Sequence, residues 1–172
     1  MNDLNFEVAG ILKELLKKVG PSEFGLRIQG LFAHTLISLG FRILEIKHPG
    51  RPDIIADKGL QKFKFEVKVL RFPYFVNSED IRSLYPLTSM EEGFLALLDC
   101  GPPIYWFLLP VQVLSKRLGE ALYVFQIRML ANISLSQHCT DQFSSLIHRN
   151  KYKLENLFFP LLKKKALNGK GI

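Results

Sequence analysis

Residues 62–69, KFKFEVKV, alternate strictly: Phe63, Phe65, Val67 and Val69 are apolar, and Lys62, Lys64, Glu66 and Lys68 are charged. A period of two sends the apolar set to one side of an extended chain and the charged set to the other, whereas a helix would scatter both around its surface. The segment therefore reads as a strand with a dry side. The common fate of its charged side is a wet face of an antiparallel sheet. Glu66 and Lys68 stand next to each other on that side, however, thirteen positions after a proline-aspartate pair, Pro52-Asp53.

The surrounding chain supplies helices and further strands. Val8, Ile11, Leu12, Leu15, Leu16 and Val19 recur at helical spacing, and Gly20-Pro21 closes that run. A second helix, with Ser22 as its expected cap, carries a stripe of Ile28, Leu31, Phe32, Thr35, Leu36 and Leu39 and stops at Gly40. Residues 41–48 (FRILEIKH) read as a strand ended by PGRP, and DIIA (53–56) as a short strand followed by a DKG turn. NSEDIRSLYPL suggests a short helix capped by Asn77 or Ser78. The unbroken apolar runs GFLALLDC and IYWFLL suggest interior strands covered on both sides, with Trp106 in the core. PVQVLSKRLG reads as a short helix, EALYVFQIRML as a strand or a helix, and the remainder as helices, the last broken at Pro160 before a mobile basic tail.

This order predicts an α/β (α+β) chain: a mixed central β-sheet flanked by helices, with extra N- and C-terminal helices. One domain over 1–172 is expected, with residues 1–21 an N-terminal helix, 22–112 a core and 120–172 a C-terminal extension. With 172 residues the chain can bury a core without staples. Its two cysteines form no CxxC pair and propose neither a disulfide framework nor a zinc site. The beginning has no secretory pattern and the longest apolar region is interrupted by Asp99, Gly101 and two prolines, so a cytoplasmic protein without a membrane span is expected. A net charge of +7 favours a polyanionic partner, nucleic acid first. His34, His138 and His148 match no metal spacing, and no serine elbow or nucleotide-cradling glycine loop is present.

If DIIA pairs with FKFEVKV around the DKG turn, Asp53 comes close to Glu66 across the ladder. Two nearby carboxylates repel, and a hard divalent cation relieves the repulsion. Mg²⁺ takes few carboxylates, several waters and substrate phosphate oxygens, all of which such a site offers. A lysine beside it can orient water and offset charge on a phosphate.

The succession of helix, strand, PD strand and ExK strand resembles the PD-(D/E)xK nuclease superfamily, read here as Pro52-Asp53 and Glu66-Val67-Lys68. The pattern is closest to archaeal Holliday-junction resolvases and spans roughly residues 22–112. The resemblance implies a restriction-endonuclease-like core, Mg²⁺ (or Mn²⁺) held by Asp53, Glu66 and the Val67 carbonyl, and Lys68 assisting the water in hydrolysis of DNA. The family places an acidic residue on the helix before the first strand. Gln29 stands at the matching position. A neutral amide can orient a water or phosphate but adds no charge for a second metal, which favours a one-metal site.

Around this centre His48 and Arg51 on the HPGRP loop, with Lys47, Arg71 and Arg27, are candidates for DNA phosphate contact; solvated basic side chains are the plainer reading. Phe72, Tyr74 and Phe75 either follow a nucleic-acid groove or pack on the next helix. A resolvase needs two opposed sites, hence a homodimer, for which LENLFFPLL is a candidate interface. No small-molecule cofactor is expected. The rival reading is a DNA-binding module with a weak or inactive site, and a third is a nuclease directed at RNA.

Overall fold

The computed structural model describes residues 3–154. Two long helices lead, α1 (Asp3–Val19) and α2 (Pro21–Ser38). They are followed by β1 (Arg42–Ile46), β2 (Ile54–Lys58), β3 (Gln61–Val69), β4 (Tyr74–Phe75) and α3 (Ser78–Arg82). Next come β5 (Glu91–Asp99), β6 (Tyr105–Pro110), α4 (Val111–Leu114) and a 3-10 turn over Ser115–Arg117. β7 (Ala121–Leu122), α5 (Val124–Leu130) and α6 (Ile133–Asn150) complete the order.

Five strands form one mixed sheet in the order β1-β2-β3-β5-β6. All neighbours are antiparallel except β3 and β5, which run parallel. That one parallel step needs a crossover, and β4 and α3 lie within it. β4 pairs instead with β7 in a separate two-stranded ribbon.

Each side of the sheet has its own apolar layer. Phe65, Val67, Phe94, Ala96, Leu98, Trp106 and Leu108 meet α1, α2 and α6. Leu95, Leu97, Phe107 and Leu109 meet Ile81 and Leu84 of the α3 region, Leu114 of α4 and Ile127 of α5. Trp106 is fully buried, its ring 4.5 Å from Phe32 and 5.2 Å from Phe143. The helix expected within the C-terminal extension is thus part of the main core, since α6 contributes Cys139, Phe143 and Ile147 to it.

Several boundaries differ from the sequence reading. Pro21 occupies the first turn of α2 and Gly20 (φ 78°) is its cap, so Ser22 is inside the helix. β2 continues through Asp57 and Lys58, leaving Gly59-Leu60 as the turn. EALYVFQIRML is both strand and helix, β7 and then α5. The PVQVLSKRLG helix, the Asn77 cap and the stop at Gly40 (φ 85°) are where the residues place them. LENLFFPLL, the break at Pro160 and the basic tail fall outside the described residues, except that Leu154 is buried.

Two contacts fix the layers that surround the charged side of β3. Gly93 sits directly beneath the backbone of Leu84: a Cβ there would lie 1.9 Å from the Leu84 carbonyl oxygen. Lys64, opposite Gly93 in the ladder, donates to the Tyr85 carbonyl at 3.1 Å and lies 2.9 Å from Glu91. On the far border of the sheet, α6 seals β6. The amides of Trp106 and Leu108 donate to Thr140 Oγ1 (2.9 Å) and Ser136 Oγ (3.0 Å), and the Asn132 amide donates to the Leu108 carbonyl (2.8 Å). A helix thus satisfies donors that an edge strand otherwise leaves open.

Candidate active site

The charged side of β3 is not a wet face. Lys64 and Glu66 are buried, Glu66 at 1 % exposure, and Lys68 is half-buried. The parallel step explains this: β3 is an interior strand with β2 and β5 on its flanks, and α3 is laid across its charged side. A carboxylate in such a place must find cations, donors or a proton.

Asp53 is the residue immediately before β2, and it is buried. Ile54 pairs with Phe65, so Asp53 reaches the ladder where β3 carries Glu66 and Val67. Its Oδ2 accepts the Val67 amide at 2.8 Å, and the amide of Gln29 hydrogen-bonds its carboxylate from α2. The Leu70 amide donates to Leu98 and the Lys62 amide to Met90, so even-numbered residues of β3 turn their backbone groups toward β5 and odd-numbered ones toward β2. The Val67 carbonyl shares the side of its own N–H, toward Asp53.

On Glu66 the two oxygens differ. Oε1 is 3.0 Å from Lys68 Nζ and 3.5 Å from Arg51 Nε. Oε2 is buried and has no hydrogen-bond partner. Burial pushes the Asp53 carboxyl above its usual range, against the pull of the Val67 amide, Gln29, Lys68 and Arg51. Glu66 is pushed up by burial and then by the charge of Asp53, against Lys68 and Arg51. For Lys68, burial pulls downward, but the bond to Glu66 and the charges of Glu66, Asp80 and Asp53 outweigh it, so its pKa is raised.

One residue enters that the sequence reading passed over. Asp80, on α3 and 4 % exposed, places Oδ1 3.4 Å from Lys68 Nζ and 3.1 Å from Arg51. Its Oδ2 accepts from the Tyr74 hydroxyl (3.0 Å) and from Asn77 Nδ2 (2.7 Å). The signal was available: a helix that follows the ExK strand and carries apolar Ile81 has to lie on one of its sides. An acid in a first helical turn is ordinarily read as a solvated partner of the helix dipole, and that reading hid Asp80.

The basic residues divide. His48 and Arg71 line a cavity of about 620 Å³ together with Gln29, Asp53, Val67 and Lys68. Arg51 is turned inward, its guanidinium spanning Glu66, Asp80 and Glu79 (3.7 Å). Lys47 Nζ is 3.4 Å from the Arg51 carbonyl and 3.8 Å from Glu45. Arg27 is bound to Glu23 along α2 at 2.9 Å. Phe72 and Phe75 are exposed, while Tyr74 is drawn to Asp80, and burial with that carboxylate raises its pKa strongly. His138 bonds within α6 and His148 to Glu7 on α1, away from the cavity.

A divalent ion suits the donor set in one respect that can be read from the residues. Glu66 Oε2 is an orphaned acceptor in a buried position, and its own carboxyl and that of Asp53 both have raised pKa values. Among the described residues no group of three or more His, Cys, Asp or Glu side chains is arranged to hold an ion. Such an ion would therefore rest on Asp53, Glu66, the Val67 carbonyl, water and phosphate, a composition natural to Mg²⁺. Among the described residues no helix is long and apolar enough to cross a membrane. No family model, curated protein or solved structure matches the chain.

Proposed function

We propose that the chain is a Mg²⁺-dependent endodeoxyribonuclease with a restriction-endonuclease-like core of the PD-(D/E)xK kind. The observation that carries this reading is the meeting of Asp53, Glu66 and Lys68 at one end of β3, with one Glu66 oxygen left bare. Phosphodiester hydrolysis asks chiefly for positioning and for charge placed where the phosphate gains it.

Mg²⁺ held by Asp53, Glu66 and the Val67 carbonyl would polarise a phosphate oxygen and make a water more acidic. The remaining work falls to the chain itself. Val67 N–H and Gln29 fix the Asp53 carboxylate, so that its free lone pairs face the cavity. Lys68 presents its ammonium beside Glu66, where it offsets charge on a phosphate oxygen and orders the attacking water. Against burial, the bond to Glu66 and the charges of Glu66, Asp80 and Asp53 raise its pKa, which favours the ammonium form in the metal-free protein. Arg71 and His48, at the same cavity, meet the phosphates beside the reacting one.

The inward-turned Arg51 favours a second reading. Arg51 and Lys68 already neutralise Glu66 and Asp80 without a metal, which suits a DNA-binding module whose catalysis is weak. One experiment separates the two. The protein is incubated with Mg²⁺ or Mn²⁺ and duplex, single-stranded, flap and four-way-junction DNA, with an RNA duplex alongside. The nuclease reading expects cleavage of DNA that disappears in Glu66→Gln and falls about 10²–10³-fold in Lys68→Met. Paired symmetric cuts in the junction alone would specify a resolvase acting as a homodimer. Salt-sensitive binding without cleavage under either metal overturns the nuclease reading and leaves the binding module.

A further inference from the structure

We propose that Asp80 is a positioning residue of this site, holding the Lys68 ammonium and the Arg51 guanidinium in place beside Glu66. Its kinetic consequence rests on the nuclease reading; its structural consequence does not.

Asp80 makes more contacts than a helix start requires. The cap of α3 is Asn77, whose Oδ1 accepts the Asp80 amide at 2.8 Å. That bond would serve the helix whatever side chain stood at position 80. The carboxylate itself is buried and bound by four donors from four places. Tyr74 of β4 and Asn77 take Oδ2, at 3.0 and 2.7 Å. Arg51 of the β1–β2 loop and Lys68 of β3 take Oδ1, at 3.1 and 3.4 Å. With Oδ2 committed to two neutral donors, the plane of the carboxylate is set, and Oδ1 is turned to the two cations.

The effect on Lys68 follows from its shape. A flexible four-carbon stem leaves an ammonium many positions, and a single partner fixes only its distance from that partner. Between Glu66 at 3.0 Å and Asp80 at 3.4 Å the ammonium is held at two points. Arg51 is bound likewise, to Glu66 and Asp80, with the exposed Glu79 as a third contact. Without the Asp80 charge, Lys68 keeps one anchor and Arg51 loses its shortest one. Misplacement of a reacting group by about 1 Å can cost about 10²-fold in rate.

The test compares wild type, Asp80→Asn, Lys68→Met and the double variant. The first readout needs no activity. Brief labelling of the folded proteins with an amine-reactive reagent, quantified by mass spectrometry, gives the rate at Lys68 against exposed Lys17 as internal reference. Asp80→Asn is expected to raise the Lys68 rate several-fold with Lys17 unchanged. Tyr74→Phe, which removes one of the two donors to Oδ2 but keeps the charge, is expected to raise it less. The second readout is kinetic. Asp80→Asn is expected to lower kcat by about 100-fold with little change in KM. In the Lys68→Met background it should add less than about 2-fold, because the residue it acts through is gone. An equal labelling rate in wild type, Asp80→Asn and Tyr74→Phe overturns the proposal, and so does a kcat loss of the same factor in both backgrounds, which would mark a merely structural role. If no DNA is cut the nuclease reading fails, and labelling alone decides the place of Asp80. If Asp80→Asn does not fold, the Tyr74→Phe rate decides it.

Discussion

The backbone amide of Val67 donates to the Asp53 carboxylate at 2.8 Å, so a side chain closes the β2–β3 ladder where the backbone of β2 ends. Asp53 has two duties there, to finish a sheet and to bring negative charge to Glu66. The second duty works against the fold, because burial raises the pKa of both carboxyls.

Asp53→Asn separates these duties. The folded protein holds the Asp53 proton to a higher pH than the unfolded chain does. Between the two values it binds more protons than the unfolded state, so stability falls as pH rises, and the cost is fully present above both. The asparagine keeps an acceptor for the Val67 amide and carries no charge. The metal-free variant is expected to melt at or above the wild-type temperature at neutral pH, by calorimetry, while Mn²⁺ binding is lost in titration calorimetry. Undiminished Mn²⁺ affinity would rule Asp53 out as a ligand.

Glu91 predicts the opposite pH behaviour. The Leu87 amide, then Lys64, hold its carboxyl down at about 2, against an ordinary value of 4.5. A lowered pKa contributes stability that is complete above the ordinary value and lost as pH falls through the folded one. Wild type should therefore exceed Glu91→Gln in denaturant stability at pH 6, with the gap narrowing from about pH 4.5 and closing near pH 2. A gap that persists unchanged at the acid end would exclude this linkage.

Gly93→Ala should be among the most damaging small substitutions. The added carbon meets backbone, 1.9 Å from the Leu84 carbonyl oxygen and 2.8 Å from its carbon, and neither can rotate away. Overpacking of this kind costs about 1–3 kcal/mol, occasionally more. Because Leu84 lies two residues beyond the end of α3, the displacement should be read at the site too, as faster labelling of Lys68. Chemical denaturation with wild-type stability would mean that the loop has room to rise.

If the chain binds DNA as proposed, Arg71 tests the route of the nucleic acid. It is exposed, lines the cavity, and makes no ion pair among the described residues. Arg71→Ala should weaken DNA binding about equally for all sequences and reduce the slope of log affinity against log salt by about 1. Arg27→Ala, whose guanidinium is engaged with Glu23, should leave the slope unchanged. Equal slopes for Arg71→Ala and wild type would remove this cavity from the path of the phosphates.

What the sequence made legible followed from local periodicity. KFKFEVKV could only be a strand with sided residues, and PD before it with thirteen intervening steps placed Asp53 opposite Glu66. Gln29, singled out by the family resemblance and not by the stripe of α2, hydrogen-bonds Asp53, and Trp106 read as core and is core. What stayed hidden depended on partners distant in the chain. Nothing within KFKFEVKV says that its charged side is roofed by α3, because the roof depends on Gly93 and on a carbonyl at position 84. Arg51 looked like a residue for solvent and phosphate until Asp80 supplied a buried reason to turn inward. The hydroxyls of Ser136 and Thr140 bind strand amides more than 25 residues earlier in the chain, partners that no local pattern announces.

Those two hydroxyls also decide where this protein can be extended. Since α6 occupies the outer donors of β6, no ribbon from another molecule can be stitched onto that margin without dislodging a helix. At the opposite margin, among the described residues, β1 has only β2 beside it and leaves Leu44 exposed. An extended peptide that lengthened the sheet would join there, beside the loop that carries Arg51 and Asp53, and its arrival would be felt where Glu66 and Lys68 stand on β3.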